Sequence, residues 1–258
     1  MEQILQSVFG SAMLSLLHGF SGYNQVLVAK EDRLKTTFQS KWGTYAYDKI
    51  PFRLINGKAT FQRSMDITFR GLINKFIVVY LNDIIVYSKT REDHIPHLKV
   101  IFERFPRYEI FLNPKKSIFA MEEGTLLGFV ISLEGITIDP RRIEAIKAIV
   151  LPHNKKAMQY FVGKINFVRR FISDFAEILK PLQEMIKKDS NFKWTKERKE
   201  AFDKIKESIA EAPTLRSLIF DNEFILYTFG FNHLIVVVLT HKNEEGDEFP
   251  VSFISTGL

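Results

Sequence analysis

The chain has 258 residues, enough for one large domain or a few small ones, and an apolar fraction of 46% supports a substantial core. It contains no cysteine, which excludes disulfides, thiolate chemistry and cysteine-ligated zinc. A formal charge of +6 and a pI of about 9.3 suit a polyanionic partner, but 30 acidic residues against 36 basic ones exclude a simple basic tail.

Residues 4–17 are apolar at mixed spacing and predict a short helix leading into a strand. The opening "MEQILQS" has no basic region before an apolar run, so no secretory signal is expected. Alternation over residues 25–29 predicts a strand, residues 30–33 a charged turn, and the surroundings of Trp42 and Gly43 a hairpin. Residues 59–74 read as helix, with Phe61, Met65, Ile67, Thr68 and Leu72 partly in register.

"VVYLNDIIVYS" comes next. Two β-branched runs, residues 76–81 and 84–87, flank Asn82 and Asp83, which predicts a tight hairpin turning at that pair. Asp83 is then either a carboxylate presented on a rigid apolar support or an ordinary turn residue. Ile95, Leu98, Ile101, Phe102 and Phe105 share one helical face over residues 91–105, and Pro106 is expected to stop that helix. "LLGFVISLEGITIDP" predicts a further hairpin, turning at Glu134 and Gly135.

From Asp139 the chain turns helical and charged. Met158, Phe161, Val162, Ile165, Val168, Phe171 and Ile172 form an apolar stripe, and Lys155, Lys156, Lys164, Arg169 and Arg170 the opposite face. Another helix is expected over residues 196–211, ahead of Pro213. Residues 223–253 return to strands with a turn at "KNEEGDE", and the apolar runs 224–231 and 234–239 fall short of the roughly 20 residues that a membrane-spanning helix needs. The pattern is mixed α+β, with a helical segment between two strand-bearing ones and no internal repeat.

Several stretches agree in order and spacing with one family. "GFSGYNQVLV", "TTFQSKWGTYAYDKIPFRLINGKATFQ", "VVYLNDIIVYSKTREDH", "FLNPKKSIF" and "LLGFVIS" together resemble the reverse transcriptase of gypsy-type LTR retrotransposons. "FVGKINFVRRFISDFAEILKPLQEMIKK" resembles the thumb that follows it, and "FKWTKERKEAFDKIKESIAEAPTL" the segment leading into ribonuclease H. The resemblance implies an α+β fold: a right-hand polymerase palm with a β-hairpin active site, a helical thumb and a partial ribonuclease H-like β segment. It places the palm at residues 1–138, the thumb at 139–190, and a connecting helix with a truncated ribonuclease H-like segment at 191–258. The fingers, which the family places ahead of the first palm strand, are expected to be largely missing.

The implied function is RNA-directed DNA polymerisation with ribonuclease H activity. The implied cofactor is Mg²⁺, two ions held by carboxylates, because hard dications need anionic oxygen ligands. The implied partners are an RNA template and an RNA–DNA hybrid, within the cell and with no membrane.

This chain departs from the family pattern at those ligands. Counted back from Ser21-Gly22-Tyr23, the first carboxylate position is His18, and Tyr80-Leu81-Asn82-Asp83 resembles Y-x-D-D with its first aspartate replaced by Asn82. Asp83 alone remains of three. A neutral imidazole and an amide do not replace two negative charges at a Mg²⁺ site, so polymerisation is expected to be lost; a softer ion such as Mn²⁺ is the alternative occupant.

Arg53 stands where the family has a glycine beside the nucleotide pocket, and a long cation is poorly tolerated where the backbone needs positive φ. Tyr23 and Phe52 match the aromatic gate under the sugar and a nucleotide-pocket residue, though either suits an ordinary core. Gly128, Lys164, Arg169 and Arg170 match nucleic-acid contacts, the alternative being a solvated helix face. In "LYTFGF" the ribonuclease H aspartate position falls on Phe229, so RNA cleavage is also expected to be lost. A non-catalytic nucleic-acid binder and a relic without a selected role are the competing readings.

Overall fold

In the computed structural model, residues 2–188, 190–216, 223–231, 234–243 and 245–257 are described. The chain divides into two compact units, Met1–Gly124 and Thr125–Leu258.

The first unit runs α1 (Glu2–Val8), β1 (Met13–His18), two 3-10 helices (Gly22–Gln25 and Lys30–Thr36), β2 (Phe38–Ser40), β3 (Gly43–Tyr45), α2 (Gly57–Thr68), β4 (Ile77–Tyr80), β5 (Asp83–Ser88), α3 (His94–Arg107) and β6 (Ile118–Met121). Its sheet has the order β4-β5-β1-β6. Alternation along the β4–β5 hairpin sends Ile77, Val79, Ile84 and Val86 to one face, where they pack with Phe61 and Met65 of α2 and Leu98, Ile101 and Phe105 of α3. Val78, Ile85 and Tyr87 are buried too, so this hairpin is apolar on both sides. Each such side chain contributes about 1.5–3 kcal/mol. The hairpin is therefore anchored by its full length, and only its tip reaches solvent.

A buried polar chain fastens the middle of this sheet. Ala120 N–H donates to Ser15 Oγ (3.0 Å), which lies 2.7 Å from His94 Nε2; His94 Nδ1 lies 2.9 Å from Ser88 Oγ, itself 2.8 Å from His97 Nδ1. One direction of donation satisfies every group: Ser15 O–H to His94 Nε2, His94 Nδ1–H to Ser88 Oγ, and Ser88 O–H to His97 Nδ1. That scheme keeps His94 neutral, consistent with burial and the neighbouring His97 lowering its pKa from the usual 6.5.

Five expectations need correction in this unit and the next. The hairpin turn is Leu81-Asn82, not Asn82-Asp83: Tyr80 pairs with Asp83, which is already the first residue of β5. Leu81 takes the left-handed conformation that this two-residue turn demands (φ 55°), so turn propensity pointed one position too far. Residues 25–29 form no strand; a single bridge joins Leu27 to Lys49 after the 3-10 turn. α2 ends at Thr68 rather than 74, because Gly71 (φ 81°) and Asn74 (φ 65°) hold left-handed backbone that a helix excludes. Pro106 does not stop α3, which runs on to Arg107: in the last turn it removes one hydrogen bond, and Tyr108 N–H still reaches Arg104 O at 3.2 Å. The stripe from Met158 to Ile172 is nearly all buried as expected, but its helix breaks at Asn166.

β7 (Gly124–Leu126) begins on the last residue of the first unit, and the second unit continues with β8 (Phe129–Ile131), β9 (Ile136–Ile138), α4 (Pro140–Lys147), α5 (Lys155–Asn166), a 3-10 turn (Arg169–Phe171), α6 (Phe175–Ile186), α7 (Lys196–Ala210), β10 (Phe224–Phe231), β11 (Leu234–Lys242) and β12 (Glu248–Gly257). Asp139, Asn154 and Thr195 cap α4, α5 and α7 with side-chain acceptors, and Pro140 occupies the first position of α4. Phe161, Ile165, Leu182, Met185, Phe202 and Ile205 form the helical core. β10, β11 and β12 make an antiparallel sheet in that order. Within the turn between the last two, Glu244 lies outside the described residues. Among the described residues no helix is long and apolar enough to cross a membrane.

Candidate functional site

The antiparallel register of β1 with β5 places His18 directly opposite Asp83, residues 65 positions apart in the chain. His18 Nδ1 lies 2.9 Å from Asp83 Oδ1, with side chains 29% and 52% exposed. The Asp83 carboxylate is therefore already bonded, and its partner is His18.

The rest of the tip is built around Asn82. Its carbonyl accepts Gly19 N–H (2.9 Å), tying the turn to the chain leaving β1. Its carboxamide lies against Gly22: a Cβ there would sit 2.1 Å from Asn82 Oδ1, so any larger residue must displace that side chain. Asn82 Oδ1 is buried and has no hydrogen-bond partner among the described residues. Gln62, which sequence reasoning passed over, holds the turn from below: Oε1 accepts Leu81 N–H (2.8 Å) and Nε2 donates to Val79 O (3.3 Å) and Asp66 Oδ1 (3.0 Å). Its place in "ATFQ", within a stretch that resembles the family, was the available signal. Gln25 performs a similar task beneath the cavity, accepting Phe111 N–H (2.8 Å) and donating to Phe111 O and Phe20 O.

A cavity of about 310 Å³ opens here, lined by His18, Tyr23, Phe52, Asn82, Asn113 and Lys116 among others. Tyr23 meets Phe61 edge-on at 5.5 Å and Phe52 at 6.4 Å. Tyr23 is thus half core and half cavity wall, whereas Phe52 is 76% exposed and belongs to no core. A second cavity of about 490 Å³ shares these two rings and adds Arg53 and Lys58. Arg53 has φ 72°, a conformation suited to glycine.

Two Mg²⁺ ions require several hard, anionic oxygens. The donors at this tip are one carboxylate engaged by an imidazole, one amide and that imidazole. Among the described residues no cluster of three His, Cys, Asp or Glu is placed to hold a metal. The residues present do not fit a two-magnesium centre.

In the second unit a cavity of about 320 Å³ gathers Gly128, Asp139, Arg141, Arg142, Tyr160 and Lys164. Gly128 (φ 81°) leaves room for the Arg142 guanidinium, which a Cβ would meet at 2.1 Å, and Arg142 lies 3.9 Å over the Phe167 ring. Burial lowers the Arg142 pKa. Asp139 is taken by Arg141 (3.2 Å). Arg169 and Arg170 do not line this cavity; Arg170 reaches Val251 O at 3.5 Å. Phe229 lies mid-strand in β10, paired with Val236 and 51% exposed.

Comparison with known proteins bears on these sites. A family model described as reverse transcriptase (RNA-dependent DNA polymerase) matches residues 3–131, and one for an RNase H-like domain found in reverse transcriptase matches residues 194–258. The retrovirus-related Pol polyprotein from transposon 297 of Drosophila melanogaster is 32% identical over 259 residues, covering 100% of this chain and 24% of that protein. The transposon Tf2-3 polyprotein of Schizosaccharomyces pombe is 27% identical over 257 residues, covering 100% of this chain and 19% of its own length. The chain thus spans a quarter or less of these curated relatives. Among solved structures, foamy viral protease-reverse transcriptase in complex with RNA/DNA hybrid superposes with a TM-score of 0.83 at 23% identity, over 99% of this chain and 34% of that one. The same viral protein with dsDNA gives 0.87 at 22% identity, over 99% and 53%. The fold is that of these polymerases.

Proposed function

Because the chain belongs to the reverse transcriptase (RNA-dependent DNA polymerase) family, we propose that it is a gypsy-type palm (residues 1–138), thumb (139–190) and ribonuclease H-proximal segment (191–258) that does not polymerise DNA. One observation carries this reading: Asp83, the remaining carboxylate of the hairpin, is bonded to His18 at 2.9 Å instead of standing with two other carboxylates. Asn82 retains a carbonyl oxygen and turns it into a buried, unpartnered position. A dication brought there meets one charge where the in-line displacement needs two ions clamped between attacking and leaving oxygens. By the resemblance of its sequence, Phe229 stands at a ribonuclease H aspartate position, and an aromatic ring there supports loss of RNA cleavage as well.

Primer extension on an RNA template, in Mg²⁺ and separately in Mn²⁺, tests the reading. No elongation is expected with either ion, and metal-dependent elongation by this chain refutes it.

A second reading is favoured by the cavity beneath Gly128, where Arg142 and Lys164 make no ion pair among the described residues, while Asp139, whose charge Arg142 also feels, is paired with Arg141. In this reading the chain grips nucleic acid without acting on it, the RNA–DNA hybrid being the substrate class on which its structural neighbour was solved. Affinity for a hybrid that falls steeply with salt is the expected sign, since each phosphate contact releases counterions. Absence of affinity at low salt eliminates it.

A further inference from the structure

The sheet β10-β11-β12 has two edges, and they are built differently. A sheet edge offers a row of N–H and C=O groups to any strand that arrives, and proteins blunt it with proline, charge, a bulge or a covering element. β12 has several of these devices. It carries Pro250, and its register with β11 shifts between Leu239 and Thr240. It is also tied to its neighbours: Ala176 N–H donates to Ser255 Oγ (2.8 Å), Arg170 Nη2 to Val251 O (3.5 Å) and Arg216 N–H to Pro250 O (2.9 Å). β10 has none of them. Its eight residues include no proline and no charge, and it pairs with β11 in unbroken register. From Ile225 to Phe231 its backbone makes no hydrogen bond beyond β11 among the described residues.

Side-chain packing leaves the same edge bare. Phe229 and Phe231 share a face with their β11 partners Val236 and Leu234. The two β11 residues are buried, whereas the two phenylalanines are 51% and 56% exposed, so the cover over this face stops at β11. On the other face Leu226 is 59% exposed. Contiguous apolar side chains beside an unpaired edge mark an interaction surface.

We propose that β10 pairs antiparallel with β10 of a second copy of this chain, joining two three-stranded sheets into one of six strands. A twofold axis normal to the sheet keeps each face on its own side. Opposed residues then come from the same face, so the axis passes through a residue and not between two. Centring on Tyr227 sets Phe229 opposite Ile225; centring on Thr228 sets Phe229 opposite Tyr227 and Phe231 opposite Ile225. Either way apolar side chains oppose apolar ones, and no charge on the strand meets its like. About seven residues per copy then pair, supplying roughly six to eight hydrogen bonds, as many as a specific interface carries. A half-exposed aromatic ring has on the order of 100 Å² left to bury. With the outward backbone, two copies bury about 1,000 Å², where specific interfaces begin. An interface of that size makes a dimer that assembles and dissociates with concentration.

The chain has no cysteine, so a single introduced one reports its own twofold neighbour. Opposed Cα atoms of an antiparallel pair stand about 4.5–5.5 Å apart, within disulfide reach. Under mild oxidation either Tyr227→Cys or Thr228→Cys, whichever lies on the axis, is expected to give a disulfide-linked dimer, and Ile254→Cys on β12 is expected not to. Sedimentation equilibrium of the unaltered chain, from about 1 to 100 μM, is expected to show the mass rising from 30.0 kDa toward twice that value. Phe229→Lys sets a charge on the edge and is expected to weaken association at least tenfold. Ile254→Lys adds the same charge two strands away, at a position also exposed, and is expected to change it less than about twofold. A monomer mass throughout overturns the proposal, as does cross-linking at neither Tyr227→Cys nor Thr228→Cys. So does Ile254→Cys cross-linking as readily as the axial variant, or Ile254→Lys dissociating the dimer as much as Phe229→Lys, since association would then be through the apolar face at large and not through the edge.

Discussion

Placing carboxylates at both positions, His18→Asp with Asn82→Asp, perturbs the tip most directly. Positions 18 and 83 are register partners on antiparallel strands, so their Cβ atoms stand about 5 Å apart, and position 82 adjoins both through the turn. The Asp83 side chain is 52% exposed. At that exposure each like-charge pair costs on the order of 1 kcal/mol, close to the aqueous limit. Losing the His18–Asp83 contact adds about 0.5 kcal/mol. Asn82 Oδ1 has no partner among the described residues to lose. In EDTA the double variant is therefore expected to be about 2–4 kcal/mol less stable than the parent. A divalent cation at a hundredfold its dissociation constant returns about 2.7 kcal/mol. Thermal unfolding followed by circular dichroism in EDTA, Mg²⁺ and Mn²⁺ reads this out. The parent curve should be indifferent to metal and the variant curve should climb. A parent chain stabilised by metal as much as the variant would mean that the unaltered tip already holds a dication, contrary to its donor set. A variant that matches the parent in EDTA would mean that the three carboxylates do not repel one another at this tip.

Arg53→Gly should stabilise the chain by about 0.5–1 kcal/mol: left-handed backbone costs an L-residue about 1–2 kcal/mol, and the extra freedom of glycine when unfolded cancels part of the relief. Urea denaturation measures it, and a destabilised variant would show that the Arg53 side chain makes a stabilising contact. Gly22→Ala should destabilise by about 1–3 kcal/mol, because its Cβ must displace the Asn82 carboxamide from 2.1 Å; an unchanged denaturation midpoint would mean that Asn82 moves freely. Stability should also fall as pH drops below 6.5. Burial lowers the folded-state pKa of His94, so the unfolded chain takes up a proton first, and the contribution present above 6.5 is lost toward the lower folded-state value. Denaturation midpoints across that window check it, and His94→Gln should flatten the dependence; an equally steep profile in the variant places the titration elsewhere.

Much of the fold was legible because period-2 and period-3.6 patterns report which faces are buried. The strands of the β4–β5 hairpin, the Trp42 hairpin and α7 lie where their patterns place them, and the chain turns helical after Asp139 as expected. Failures came where one position of backbone geometry outweighed residue preference. Leu81, a poor left-handed residue, takes the turn because Gln62 holds its N–H and the flanking strands are locked by packing on both faces. Pro106 is tolerated because it lies in the last turn of α3, with only Arg107 after it, and Tyr108 N–H still reaches Arg104 O. Gln62 and Gln25 were overlooked because a lone glutamine carries no periodicity; their meaning lies wholly in which backbone groups come within reach.

By itself the sequence determined the family and the order of most elements, since these depend on residue types in linear order. Only the tertiary structure decided what His18, Asn82 and Asp83 do to one another. Antiparallel register brings His18 onto Asp83, buries the Asn82 oxygen against Gly22, and leaves Lys116 as the charge in the cavity wall. These outcomes follow from strand pairing between segments 65 residues apart, an alignment that local propensity does not encode.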